Sequence, residues 1–173
     1  MTQTDKVRVG VVGLGYWGPN LVRNFDRLPE AELAYCCDLD ESHLAKARAL
    51  YPHAVATNDL DAMLADPTLD AVVIATSVPT HYALGKKALE AGKHTFIEKP
   101  IALKAAHAED LLATADAQGV KLMVGHLLEY HPAVRKLKEL VGDGSLGRVF
   151  YVYANRLNLG KVRTDENALW SFG

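Results

Sequence analysis

Cysteine is almost missing from this chain. Cys36 and Cys37 are the only two among 173 residues, adjacent and inside an apolar run, so no disulfide framework exists and buried, reduced thiols are expected. Neither a Cys-x-x-Cys nor a His-Glu-x-x-His occurs. The seven histidines are scattered, and His126 and His131 stand five apart, off a shared helical face, so no metal site is expected. No apolar run reaches membrane-spanning length, and the start, Met1 to Lys6, is polar without a signal-like apolar region, which predicts a cytoplasmic protein. An excess of one charge is lacking too. Nineteen Lys and Arg are mixed along the chain with 21 Asp and Glu for a net charge of −2, so no basic stripe recommends nucleic acid or a membrane surface, and small molecules are the expected partners.

What is present is an ordinary globular composition, 49% hydrophobic and 23% charged, arranged in a strict alternation. Short apolar runs at 7–12, 33–37, 54–56, 71–75, 95–97 and 121–124 are each followed by a helix-length segment, at 19–28, 42–50, 59–65, 82–91, 104–118 and 133–141. Runs that are apolar almost continuously are buried on both faces, as in a parallel sheet covered by helices, which predicts an α/β fold with a doubly wound, Rossmann-type sheet. Asn58 is placed as an N-cap, Gly92, Gly119 and Gly142 as helix stops, and Pro132 in a first helical turn. Ala108, Leu111, Leu112 and Ala115 have the spacing of one buried helix face. After Gly142 a glycine-rich turn cluster at 142–147 precedes an aromatic-rich run, 149–154, expected to be a strand. The polar remainder cannot complete a second sheet. The expected organisation is a Rossmann domain over residues 1–127 and the incomplete start of a second α/β domain over 128–173.

Gly13-Leu14-Gly15-Tyr16-Trp17-Gly18 fits G-x-G-x-x-G. The pattern gains its force from position: it follows a buried strand, opens a helix, and is succeeded by a second strand ending in Asp38, twenty residues past the last glycine. Gly13 permits the tight turn, Gly15 the close approach of a pyrophosphate, and Gly18 close packing of helix on strand; Tyr16 and Trp17 complete the cofactor loop. The helix N-terminus supplies unbonded N–H groups and partial positive charge. Asp38 is placed to accept hydrogen bonds from the adenosine ribose hydroxyls and to repel the extra phosphate of NADP, which favours NAD; the alternative is a turn or cap residue leading into the next helix.

Ligands of open parallel sheets bind beyond the carboxyl ends of the strands. There the chain places Thr76, Ser77 and His81 after one strand, Glu98-Lys99-Pro100 after the next, and His126 after another. A residue before proline is held extended, so Lys99 can be aimed into a cleft with little freedom, where it could exchange a proton with an alcohol oxygen as hydride moves. A surface lysine paired with Glu98 is the alternative.

Together, Gly13 to Gly18, Asp38, the loop from Thr76 to His81 and above all Glu98-Lys99-Pro100 resemble the Gfo/Idh/MocA oxidoreductases, over essentially the whole chain. The resemblance implies an NAD-dependent oxidoreductase, with Lys99 catalytic and Gly13, Gly15, Tyr16, Trp17, Gly18, Asp38, Thr76, Ser77, His81, Glu98, Lys99 and Pro100 around the cofactor. The segments 125–132, 155–160 and 166–170 resemble the branch acting on nucleotide-linked sugars, such as UDP-N-acetylglucosamine or glucuronate 3-dehydrogenases. That branch would use His126, Arg156, Asn158, Lys161 and Arg163 toward sugar or phosphate; the alternative is a solvated loop. Family members are much longer, with a second α/β domain that covers the active site and mediates oligomerisation. The resemblance therefore implies a truncated chain whose full-length form is a homo-oligomer. A non-catalytic dinucleotide-binding module, or a fragment needing a partner chain, is the competing expectation.

Overall fold

The structure, a computed structural model, describes residues 6–155. It divides into two compact units, Met1–Gly125 and His126–Gly173. The first unit holds six strands, β1 (Val7–Val12), β2 (Ala31–Cys37), β3 (Val55–Thr57), β4 (Ala71–Ile74), β5 (His94–Ile97) and β6 (Leu122–Val124). Five helices join them, α1 (Gly18–Arg27), α2 (Glu41–Leu50), α3 (Leu60–Leu64), α4 (Val78–Glu90) and α5 (Ala105–Gln118). All strand pairs are parallel, in the order β3-β2-β1-β4-β5-β6. The chain winds outward from β1 to β3, then crosses back to β4 and winds the other way. That reversal between β1 and β4 is the place where a doubly wound sheet opens a crevice.

Side chains alternate across the sheet, so the central strands feed two cores. Val9, Val11, Leu33, Cys36 and Val73 pack with Leu21 and Val22 of α1 and Leu44 and Ala47 of α2. Val12, Ala34, Cys37, Val72, Ile74 and Ile97 pack with Met63 of α3, Leu89 of α4 and Leu111 of α5. The adjacent cysteines thus enter opposite cores. Both are buried and free, and burial pushes each thiol up to about 11, which keeps them protonated and inert.

Several local expectations are corrected. Leu112 is exposed, and Thr114 takes the buried place beside Leu111 and Ala115. A polar residue fits there because its hydroxyl donates to the Asp110 carbonyl at 2.7 Å and accepts from Lys86 Nζ at 2.7 Å. The N-cap of α3 is Asp59, whose carboxylate accepts from Ala62 N, and not Asn58. Helix α4 begins at Val78 rather than 82, since Pro79 is tolerated in a first turn. Gly92 and Gly119 take the positive φ of helix stops, whereas Gly142 is still inside α6 (Pro132–Gly142) and Gly144 makes the turn. In the second unit a 3-10 turn, Leu127–Tyr130, precedes α6. The strand expected over 149–154 is not formed. Phe150 and Tyr151 are 80% and 85% exposed in irregular chain, because no neighbouring strand among the described residues offers a ladder.

The loop after α3 is tied from two sides. Buried Lys93 donates to the carbonyls of Asp66 at 2.7 Å and Leu69 at 2.9 Å, while the Asp66 carboxylate accepts from Thr68 N, Thr68 Oγ1 and Tyr35 Oη. The Thr68 and Tyr35 hydrogen bonds hold the Asp66 carboxyl down at about 2. An unfolded aspartate titrates near ~3.9, so this contribution is complete above that value and is lost as pH falls through the folded one. We expect stability to urea to drop between about pH 4 and pH 2, and Asp66→Asn to flatten that drop. Equal acid sensitivity in the two proteins would refute the assignment.

Candidate active site at the carboxyl edge of the sheet

The residue beyond each strand end is still held by the neighbouring strand. Gly13 N donates to Cys37 O at 2.8 Å, Ala75 N to Val12 O at 2.8 Å, Glu98 N to Ile74 O at 2.9 Å and Gly125 N to Ile97 O at 2.9 Å. The loops that follow therefore leave one sheet edge from fixed starting points.

The glycine loop is built as its spacing predicts. Gly13 has φ +92°, and a Cβ there would lie 2.8 Å from the backbone of Ala75 and Thr76. At Gly18 a Cβ would sit 1.9 Å from the Gly13 carbonyl oxygen, so α1 starts in direct contact with the strand end. At Gly15, by contrast, a Cβ meets nothing within 4 Å. Helix α1 has no side-chain N-cap and no acidic residue in its first turn. Open space at Gly15, beside an α1 N-terminus that has no side-chain cap, suits a pyrophosphate, so the residues present fit a dinucleotide.

Asp38, its side chain 14% exposed, reaches back to this loop. Its Oδ2 accepts from Leu14 N at 2.5 Å and its Oδ1 from Asp40 N at 2.8 Å, while His43 Nδ1 stands 3.2 Å from Oδ2. The turn-residue reading is thus realised, though the cap of α2 is Asp40, which accepts from Ser42 N. Pinning Leu14 and facing His43 had no sequence signal, because both depend on how β1 and α2 flank β2.

At the end of β5, the Lys99–Pro100 peptide is cis, Lys99 is exposed and Glu98 half-buried. Burial raises the Glu98 carboxyl above the usual carboxylate range, and Lys99, His81 and the Trp17 indole offset that only in part. Glu98 Oε1 is buried without a hydrogen-bond partner, and the other oxygen accepts from Lys99 N at 3.3 Å. Gly125 is needed here for space, since a Cβ would lie 3.1 Å from the Glu98 carboxyl. Trp17 thus brings the glycine loop to the Glu-Lys-Pro turn. Thr76 is half-buried and Ser77 exposed at the uncapped start of α4.

A family model described as an oxidoreductase family with an NAD-binding Rossmann fold, Gfo/Idh/MocA, matches residues 7–126. The chain belongs to the Gfo/Idh/MocA oxidoreductases. It is 32% identical over 158 residues to the UDP-N-acetylglucosamine 3-dehydrogenase of Acidithiobacillus ferrooxidans, which covers 91% of this chain and 48% of that protein. Among solved structures, GenD2 from gentamicin A biosynthesis, in complex with NAD, superposes with a TM-score of 0.78 at 31% identity, covering 84% of this chain and 41% of GenD2. The WlbA dehydrogenase of Bordetella pertussis, in complex with NADH and UDP-GlcNAcA, gives a TM-score of 0.78 at 29% identity, covering 83% and 42%. The chain spans 37% to 48% of the length of the curated relatives compared. It carries the NAD-binding Rossmann fold of the Gfo/Idh/MocA family and less than half of what those relatives contain.

Within that family frame, the residues expected at the site divide into three groups. The structure brings Gly13, Gly15, Tyr16, Trp17, Gly18, Asp38, Thr76, Ser77, Glu98, Lys99 and Pro100 to one sheet edge. His81, expected beside the cofactor, has a ring 1% exposed whose two nitrogens face the carbonyl oxygens of Pro100 and Thr76. His126 opens the second unit, and Arg156, Asn158, Lys161 and Arg163 lie outside the described residues. Among the described residues no cluster of metal-binding side chains occurs, and no helix is long and apolar enough to cross a membrane.

Proposed function

We propose that this chain is the cofactor-binding part of a dehydrogenase that transfers hydride between NAD and a secondary alcohol of a sugar, specifically a nucleotide-linked sugar. The open space at Gly15 before the uncapped α1, on the same sheet edge as Lys99, carries the reading. The similarity to UDP-N-acetylglucosamine 3-dehydrogenase and WlbA supports the substrate class. The nicotinamide, when bound, supplies the hydride acceptor. The protein's own part is positioning and proton transfer: Lys99 takes the alcohol proton as the C–H bond breaks, and Glu98 beside it holds the counter-charge. His126, Arg156, Asn158, Lys161 and Arg163 remain the residues proposed for sugar and phosphate. A substrate domain starting near residue 128, a homo-oligomeric full-length form and a cytoplasmic location belong to the same proposal.

Asp38 is proposed to set the preference for NAD. Its charge is fixed at the end of β2 by Leu14 N and Asp40 N, where an additional ribose phosphate would be repelled. Calorimetry on the 173-residue chain should show NAD(H) binding more tightly than NADP(H). Asp38→Asn, which keeps an acceptor for Leu14 N and removes the charge, should narrow the preference by about tenfold. Tighter NADP(H) binding by the unaltered chain would overturn the role of Asp38, and no binding of either would overturn the cofactor reading.

A further inference from the structure

His81 lies in the second turn of α4, with its ring 1% exposed and wedged between two functional loops. Nδ1 is 2.8 Å from the carbonyl oxygen of Pro100, and Nε2 is 3.1 Å from the carbonyl oxygen of Thr76. Both partners can only accept. A neutral imidazole has one N–H and one bare lone pair, so whichever tautomer formed would aim that lone pair at a carbonyl oxygen in a buried position. A ring protonated on both nitrogens satisfies both carbonyls. Glu98, at the end of β5, brings an acidic group to the same turn, and its Oε1 is buried without a hydrogen-bond partner.

We propose that His81 is a positioning residue, an imidazolium that donates to Thr76 and Pro100 at once and so fixes the spacing between the loop after β4 and the turn that bears Lys99. The assignment rests on reading those two segments as the cofactor and proton-transfer faces of the site, as argued above. It gives His81 no contact with the cofactor. The ring acts through the two backbones it joins.

The test begins with the ring itself. In the 15N-labelled 173-residue chain at neutral pH, two-dimensional spectra of the His81 ring should show a proton on both nitrogens. A single N–H and one bare nitrogen would overturn the imidazolium. His81→Phe fills the space but donates nothing; folded, it should bind NAD(H) about tenfold more weakly. The amide signals of Thr76 and Lys99 should shift together, and His81→Gln should restore part of the affinity. Unchanged affinity and unchanged amide signals in a folded His81→Phe would overturn the positioning role. If His81→Phe does not fold, the ring spectrum of the unaltered chain decides. If the unaltered chain binds no dinucleotide, the cofactor reading fails while the ring spectrum still reports on His81.

Discussion

Gly15→Val is expected to cost at least about a hundredfold in NAD(H) affinity, ~2.7 kcal/mol, in a protein that melts as the parent does. The two halves of that expectation have separate causes. A side chain at position 15 meets nothing within 4 Å, so the fold has no objection to it. The same side chain would occupy the space in which a pyrophosphate approaches the loop backbone and the uncapped N-terminus of α1. Gly18 supplies the control, because a Cβ there would lie 1.9 Å from the Gly13 carbonyl oxygen. Gly18→Val should therefore lower the melting temperature as well as binding, whereas Gly15→Val lowers binding alone. Calorimetry and thermal melts on both variants separate the roles; a folded Gly15→Val with parental affinity would remove the glycine loop from the site.

Lys99→Met is expected to reduce sugar-alcohol turnover by about 10² to 10⁴ while leaving the affinity for NAD(H) within a few-fold of the parent. The lysine is exposed at the end of β5, next to a carboxylate whose burial makes it a costly partner to strand without a cation. Removing the Lys99 amine, which in its neutral form accepts the alcohol proton and becomes the ammonium, takes away none of the contacts that the glycine loop and Asp38 make. The measurement is kcat followed by NADH absorbance, with nucleotide sugars as the first substrates. Turnover above a tenth of the parent's in a folded Lys99→Met would deny Lys99 the proton-transfer role.

Much of this was legible in the sequence because it depends on neighbours along the chain. The near-continuous apolar runs of β1 and β4 require cover on both faces, and the observed parallel sheet provides it. Gly13, Gly15 and Gly18 follow a strand and open a helix, which fixes their conformational and steric tasks locally. Where the reading failed, a distant partner had decided. Leu112 yielded its buried place to Thr114 because Lys86, on α4, was there to satisfy the hydroxyl. The run at 149–154 has strand-forming residues, yet a strand exists only with a ladder, and none is offered among the described residues.

The sequence by itself determined the fold class, the dinucleotide loop and the candidate proton-transfer lysine, since periodicity, glycine spacing and the Glu-Lys-Pro turn are properties of contiguous residues. Only the tertiary structure decided what those residues lean on. Asp38 pins Leu14 across 24 positions, and Gly125 leaves room for Glu98 on the next strand. The ring of His81 stands between the carbonyl oxygens of Thr76 and Pro100. Hydrogen-bond partners and close packing are set by which strands become neighbours, and order in the sheet is a three-dimensional outcome that no local pattern encodes.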